Sequence, residues 1–334
     1  MERKKLSCIY LLALIAILLP NLISAQERRR GDRLLIATPA RAMFSLPFIV
    51  GQAQGFYRDE GFEPGLVVMP PQLALQALIS GDLDFASPFS SSTRAAISGM
   101  PVRNVMVVMT ATDHVLVVKP EIQRVEDLKG KILGVSSLKS TPDLETRLVL
   151  EKHGLKPDVD AKIVALGGGS GLRLAALQGG SVDGVMLSMP QNKMAVQMGF
   201  RELVFMKDLV NIPFIGLAVN AQRIKNDPDY IVRAIKATLK AIRFIKENKE
   251  ETLKIAAREL GMKDRKIGSL VYDDAVKLYS DSGIPAEESM MEDIVHARKI
   301  QGLAREVSIN EVADWSLARR ALELLEKERR GTKR

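Results

Sequence analysis

Two distant stretches of this chain echo each other, and the echo constrains the fold more than any other feature. Ala77-Leu78, Gly81 and Leu83-Asp84 are matched by Ala176-Leu177, Gly180 and Val182-Asp183. Each copy reads as an apolar helix closed by a left-handed glycine, then an aspartate leading into a short buried strand. Ser87-Pro88 follows the first strand and Ser188-Met189-Pro190 the second, as polar turns. A unit repeated once, far apart, points to two similar α/β lobes rather than a solenoid, which needs at least three copies. Two open α/β sheets facing each other bind ligands in the cleft at the carboxyl ends of their strands.

The first residues read as an export signal. Arg3, Lys4 and Lys5 precede an apolar run from Leu6 to Leu19, too short to span a bilayer comfortably. Ile23-Ser24-Ala25 offers a small residue for cleavage after Ala25, so residues 1–25 are expected to be removed and the protein to be periplasmic. The only cysteine, Cys8, lies inside that signal. Its apolar run follows rather than precedes it, which argues against a lipid anchor. The mature chain then has no disulfide, no thiolate metal ligand and no cysteine nucleophile. The formal charge of +8 falls to about +6 on losing Arg3, Lys4, Lys5 and Glu2. The excess sits partly in Arg28-Arg29-Arg30 and in Lys327 to Arg334, with no interleaved aromatics, so a solvated end is expected and no nucleic-acid partner.

Strand and helix signals alternate from Leu34 to Met198, as in parallel βαβ units. Among them, Val115 to Val118 is expected as a strand, and Ser90 to Thr93 as the opening of a helix over Arg94 to Ser98. Thr141 is expected as an N-cap with Pro142 first in the helix. Phe214 to Val219 reads as a strand returning to the first lobe. Beyond it the pattern is helical: Asp229–Lys246, Glu250–Leu260, Lys266–Tyr279, Glu287–Ile300 and Asn310–Glu328. Ser308 to Glu311 has capping-box spacing, and Trp315, the only tryptophan, is expected to pack in the core of the last helix.

Enzyme signatures are weak. His114, His153 and His296 have no metal spacing, Asp113-His114 is a lone pair between strands, and no G-x-S-x-G elbow occurs. Gly167-Gly168-Gly169-Ser170-Gly171 lacks both the phosphate-loop lysine and the sixth-position glycine of a dinucleotide fingerprint. No catalytic residue, metal site or cofactor is expected. What remains is a set of short Ser/Thr/Gly loops, each opening a helix, whose free N–H groups bind anions without a cationic side chain. The candidate ligand-binding residues are Phe44, Ser45, Ser87, Ser90, Ser91, Ser137, Ser140, Thr141, Gly169, Ser170 and Ser188. Arg41, Arg94 or Arg173 could add a charge-assisted contact, although each is expected at the surface.

Three segments carry a family resemblance: Ala53-Gln54-Gly55-Phe56-Tyr57-Arg58-Asp59-Glu60-Gly61-Phe62, Ala77 to Phe85, and Asp127-Leu128-Lys129-Gly130-Lys131 before a strand with Gly134. In order and spacing the chain resembles the periplasmic substrate-binding proteins of nitrate/sulfonate/taurine-type ABC importers, including the thiamine-pyrimidine-precursor-like members. The resemblance spans about residues 34 to 325. It implies a bilobed α/β periplasmic-binding-protein fold of type II, with two crossing strands and a helical C-terminal segment. Lobe one would comprise 33–118 plus 212–330, and lobe two 125–208. It implies a monomeric receptor that closes on a small ligand and docks on an ABC permease at the inner membrane. A small sulfonate- or carboxylate-like anion is the expected ligand. A pyrimidine-like heteroaromatic is the alternative, although only Phe44, Phe89 and Phe214 are at hand for stacking. An enzyme or a sensor on the same fold is a further alternative. Secreted from its native host, the mature protein should begin at Gln26, which intact-mass measurement checks; a mass retaining residues 1–25 would indicate an uncleaved anchor.

Overall fold

The computed structural model describes residues 33–138 and 140–332, so the proposed signal, Cys8 and Arg28 to Arg30 lie outside the described residues. Ten strands follow in order: β1 (Arg33–Thr38), β2 (Glu63–Val68), β3 (Phe85–Pro88), β4 (Val102–Met109), β5 (Val115–Val118), β6 (Ile132–Val135), β7 (Lys162–Ala165), β8 (Gly184–Leu187), β9 (Arg201–Phe205) and β10 (Ile215–Asn220). They form two five-stranded sheets, ordered β2-β1-β3-β10-β4 and β7-β6-β8-β5-β9. In both, the first three strands run parallel and the fourth lies antiparallel to its two neighbours. The fold is the bilobed α/β architecture.

The sequence echo has a structural counterpart at each step. Gly81 and Gly180 adopt φ of +85° and +73°, the left-handed turn that releases each chain from its helix. Asp84 and Asp183 then do the same work in their own sheets. Asp84 Oδ2 accepts from Leu35 N at 2.7 Å, and Asp183 Oδ2 accepts from Ile132 N at 2.9 Å. Each carboxylate is held by one cation, Arg223 at 2.5 Å and Lys119 at 2.7 Å. Burial pushes the Asp183 carboxyl up, but Lys119 and the Ile132 N–H outweigh it and hold the group below its usual range.

The lobe boundary differs from expectation. Val115–Val118, assigned from sequence to the first lobe, is the fourth strand of the second sheet, pairing with β8 and β9. The chain therefore crosses at residues 110–114, and it returns at residues 206–214 to supply β10 to the first sheet. A short strand does not reveal which sheet it joins, because its pairing partners lie far along the chain.

Two helices also differ. The expected helix over Asn310–Glu328 is two helices, Ile309–Val312 and Ser316–Thr332. The chain straightens at Ala313, which bridges Asn104 at the edge of the first sheet, and Asp314 Oδ1 accepts from Ser316 N at 2.9 Å to restart the helix. Trp315 sits at that break, stacked on Phe89 with ring centroids 6.3 Å apart. The capping box at Ser308 and Glu311 is present. The helix expected to reach Tyr279 ends at Ala275, because Tyr279 and Ser280 pair with β4 instead.

The main core lies under the helix Pro228–Glu247, whose Ile231, Ile235, Leu239, Ile242 and Ile245 are each at most 1% exposed. Each such side chain contributes about 1.5–3 kcal/mol on burial. The second lobe has its own clusters, around Leu133 and Val149 and around Val185 and Leu187. No described helix is long and apolar enough to cross a membrane. Replacing Asp84 or Asp183 by Ala should each cost about 1–3 kcal/mol in urea unfolding, because a backbone N–H and a cation lose their acceptor; a loss below about 0.5 kcal/mol would mean the shared motif is not structural.

Candidate functional site

The eleven candidate residues all map to the carboxyl ends of parallel strands. Phe44 and Ser45 follow β1, Ser87 lies in β3 with Ser90 and Ser91 after it, and Ser137, Ser140 and Thr141 follow β6. Gly169 and Ser170 follow β7, and Ser188 follows β8. Their side chains, however, do different things. Ser45 is fully buried, its Oγ donating to Ala42 O at 2.8 Å and accepting from Ala42 N at 3.0 Å. Ser87 is fully buried and its Oγ has no partner among the described residues. Ser91 Oγ accepts from Arg94 at 3.0 Å. The exposed Ser137 offers its carbonyl to Ser140 Oγ at 2.6 Å.

Two local expectations are corrected. Ser140, not Thr141, is the N-cap residue of the helix Thr141–Lys152, with Thr141 and Pro142 in its first turn. Ser90 to Thr93 lie inside a helix, Phe89–Ile97, rather than before it. Ser92 and Thr93 hydroxyls donate back to the Pro88 and Phe89 carbonyls at 3.0 and 3.4 Å, which lets polar side chains live in a buried helix turn.

Between the lobes lies a recess that is partly open to solvent. Ser90, Arg94, Asp293, His296, Ala297 and Ile300 line it from first-lobe helices, and Thr141, Leu144, Glu145 and Leu148 from the second-lobe helix Thr141–Lys152. Thr112 of the first crossing and Val210, Ile212, Pro213 and Phe214 of the second complete it. Of the eleven candidates, Ser90 and Thr141 line this recess. Phe44 stands beside it, edge-on to Phe214 with centroids 5.8 Å apart.

Behind the wall is a buried charge cluster. His114 Nδ1 pairs with Glu145 Oε2, and the His114 ring meets Phe214 edge-on at 4.9 Å. Asp113 Oδ2 accepts from Met189 N at 3.3 Å, while its Oδ1 has no partner among the described residues. Arg173, expected at the surface, is 3% exposed. It donates to Met186 O, Gly168 O and Ser170 Oγ at 2.7, 3.2 and 2.9 Å, so it pins the glycine-rich loop to β8. Ser170 Oγ also accepts from the N–H of the buried Ser188 at 3.1 Å. Arg41 is at the surface, paired with Glu259 at 2.8 Å. Burial lowers Arg173 to about 10 and raises Asp113 to about 6, although His114 and the Met189 N–H pull Asp113 down. Burial would also lower His114, but the Glu145 and Asp113 carboxylates outweigh it and the imidazole is raised. Sequence reasoning missed Glu145 and underrated Asp113-His114; the available signal was a charged pair in a link between two lobes.

The NMT1/THI5-like family model matches residues 44–252. The chain belongs to this family. No curated protein matches its sequence. Among solved structures, a protein from Bordetella bronchiseptica RB50 superposes with a TM-score of 0.76 at 20% identity, covering 88% of this chain and 98% of that one. The periplasmic aliphatic sulphonate binding protein SsuA from Escherichia coli gives 0.69 at 20% identity, covering 84% and 91%. The periplasmic nitrate-binding protein NrtA from Synechocystis PCC 6803 gives 0.66 at 14% identity, covering 88% and 89%. At these identities the likeness of this NMT1/THI5-like chain to the three is one of fold.

The raised His114 and Asp113 fix a sign for pH dependence. A group that binds its proton more tightly when folded stabilises at low pH, and this is lost as pH rises through its folded value. Stability should therefore decline from about pH 4 to 6 on account of Asp113 and further above the ordinary histidine value of 6.5 on account of His114. Thermal melts across pH 4 to 9 check this, and His114→Gln should flatten the upper part; an unchanged slope in that variant would exclude His114 as its source.

Proposed function

We propose that the protein is an extracytoplasmic solute-binding protein of an ABC importer, taking a small organic ligand in the cleft between its lobes. The observation that carries this is that the recess is walled by both lobes and both crossings at once. A ligand held there contacts both lobes only when they are closed, so it shifts the open–closed equilibrium toward closure. The family match and the printed roles of the SsuA and NrtA neighbours support the same reading. With it go a periplasmic location, action as a monomer, and a permease at the inner membrane that receives the closed form. This is a binding role rather than catalysis.

A sulfonate- or carboxylate-like ligand is supported by the helix N-termini at Phe89, Thr141 and Ser170, all beyond strand carboxyl ends, and by Arg94 in the recess wall. The pyrimidine-like alternative is supported by the apolar lining and by Phe214 with Phe44 beside it. A thermal-shift screen of sulfonates, carboxylates and pyrimidines separates the two. For whichever compound stabilises the protein, X-ray scattering at saturation should record a smaller radius of gyration; binding without compaction would refute capture by lobe closure.

A further inference from the structure

Most of the recess wall is apolar, with Leu148, Val210, Ile212 and Ile300 among its lining. Glu145 is set into that wall with its side chain 8% exposed. Oε2 takes the His114 contact. Oε1 is hydrogen-bonded to no described residue, so Glu145, which lines the recess, has one acceptor left to offer. His114 balances the carboxylate charge from behind. The wall holds both signs of charge: Arg94, hydrogen-bonded to Ser91 Oγ at 3.0 Å, feels the field of Asp293, and His296 Nε2 lies 3.8 Å from Glu292 Oε1.

The consequence for a ligand follows from the cost of burying polar groups. An anion in this recess would face the carboxylates of Glu145 and Asp293 in an apolar surround. A full cation would face Arg94, with the His114 imidazole behind Glu145. An uncharged donor gains the Glu145 acceptor and meets no like charge.

We propose that Glu145 is the polar anchor of the recess and decides between the two ligand classes above against the anion: the solute is an uncharged, largely apolar molecule presenting an N–H or O–H donor to Glu145 Oε1. This rests on the recess being the ligand site. His114 acts through Glu145 as a positioning residue. It lies on the first crossing and packs on Phe214 of the second, so the anchor is tied to the segments about which the lobes move.

The test uses the full mature chain and three probes sharing one cyclohexyl body: cyclohexanecarboxamide, its methyl ester analogue and cyclohexanecarboxylate. NMR titration should find the amide bound at least about tenfold more tightly than the ester, with the carboxylate weakest. Glu145→Met should erase the amide's advantage, the readout being the ratio of amide to ester affinity within that variant. His114→Gln should narrow the amide's advantage and make it vary with pH differently from wild type. Equal binding by the three probes, no binding by any, or preference for the carboxylate overturns the assignment. If Glu145→Met does not fold, the wild-type order decides by itself. The receptor reading is judged separately, by compaction with a compound from the wider screen.

Discussion

The structure depends on an exchange of strands. Each sheet takes its fourth strand from chain that has just crossed from the other lobe, β5 into the second sheet and β10 into the first. Both are inserted antiparallel between two partners, so both edges of each strand are hydrogen-bonded. Neither lobe completes its sheet until the chain has crossed, and the crossings are therefore anchored at both ends. Whatever motion the lobes make must be absorbed in residues 110–114 and 206–214, because the strands on either side are locked in ladders.

That constraint explains why the buried charges collect where they do. Asp113, His114 and Phe214 belong to the crossings; Glu145 reaches His114 from a second-lobe helix, and Arg173 lies in the field of Glu145 and Asp113. Buried ion pairs contribute little net stability against an apolar alternative, but removing one partner is costly because the other charge is stranded. A cluster of this kind fixes geometry more than it adds strength. Here it holds the glycine-rich loop, the recess wall and the crossings in one arrangement.

Contacts directly between the lobes are lighter. Lys193 of the second lobe reaches Asp274 of the first at 3.2 Å while also engaging Glu202. On another helix pair, Lys299 meets Glu151 at 3.5 Å. Met194 packs against the cores of both lobes. Partly exposed ion pairs are worth about 0–1 kcal/mol each, so such contacts bias closure without locking it. That is the energetic range in which ligand contacts can decide the balance.

The sequence by itself determined the two-lobe plan. The Gly81 and Gly180 turns and the Asp84 and Asp183 caps are local devices, each encoded within a few residues, so their repetition was legible without any structure. The loops at the strand ends were legible for the same reason: Ser, Thr and Gly before a helix announce its start. Only the tertiary structure decided what those loops do. It spent the Ser45 hydroxyl on a local cap, turned Ser92 and Thr93 into a helix, buried Arg173, and broke the last helix at Ala313 to meet Asn104. It also moved β5 into the second lobe and brought Glu145 to His114, which stands 31 positions earlier in the chain. Such pairings join groups far apart in sequence, and nothing in the local pattern of either partner specifies the other.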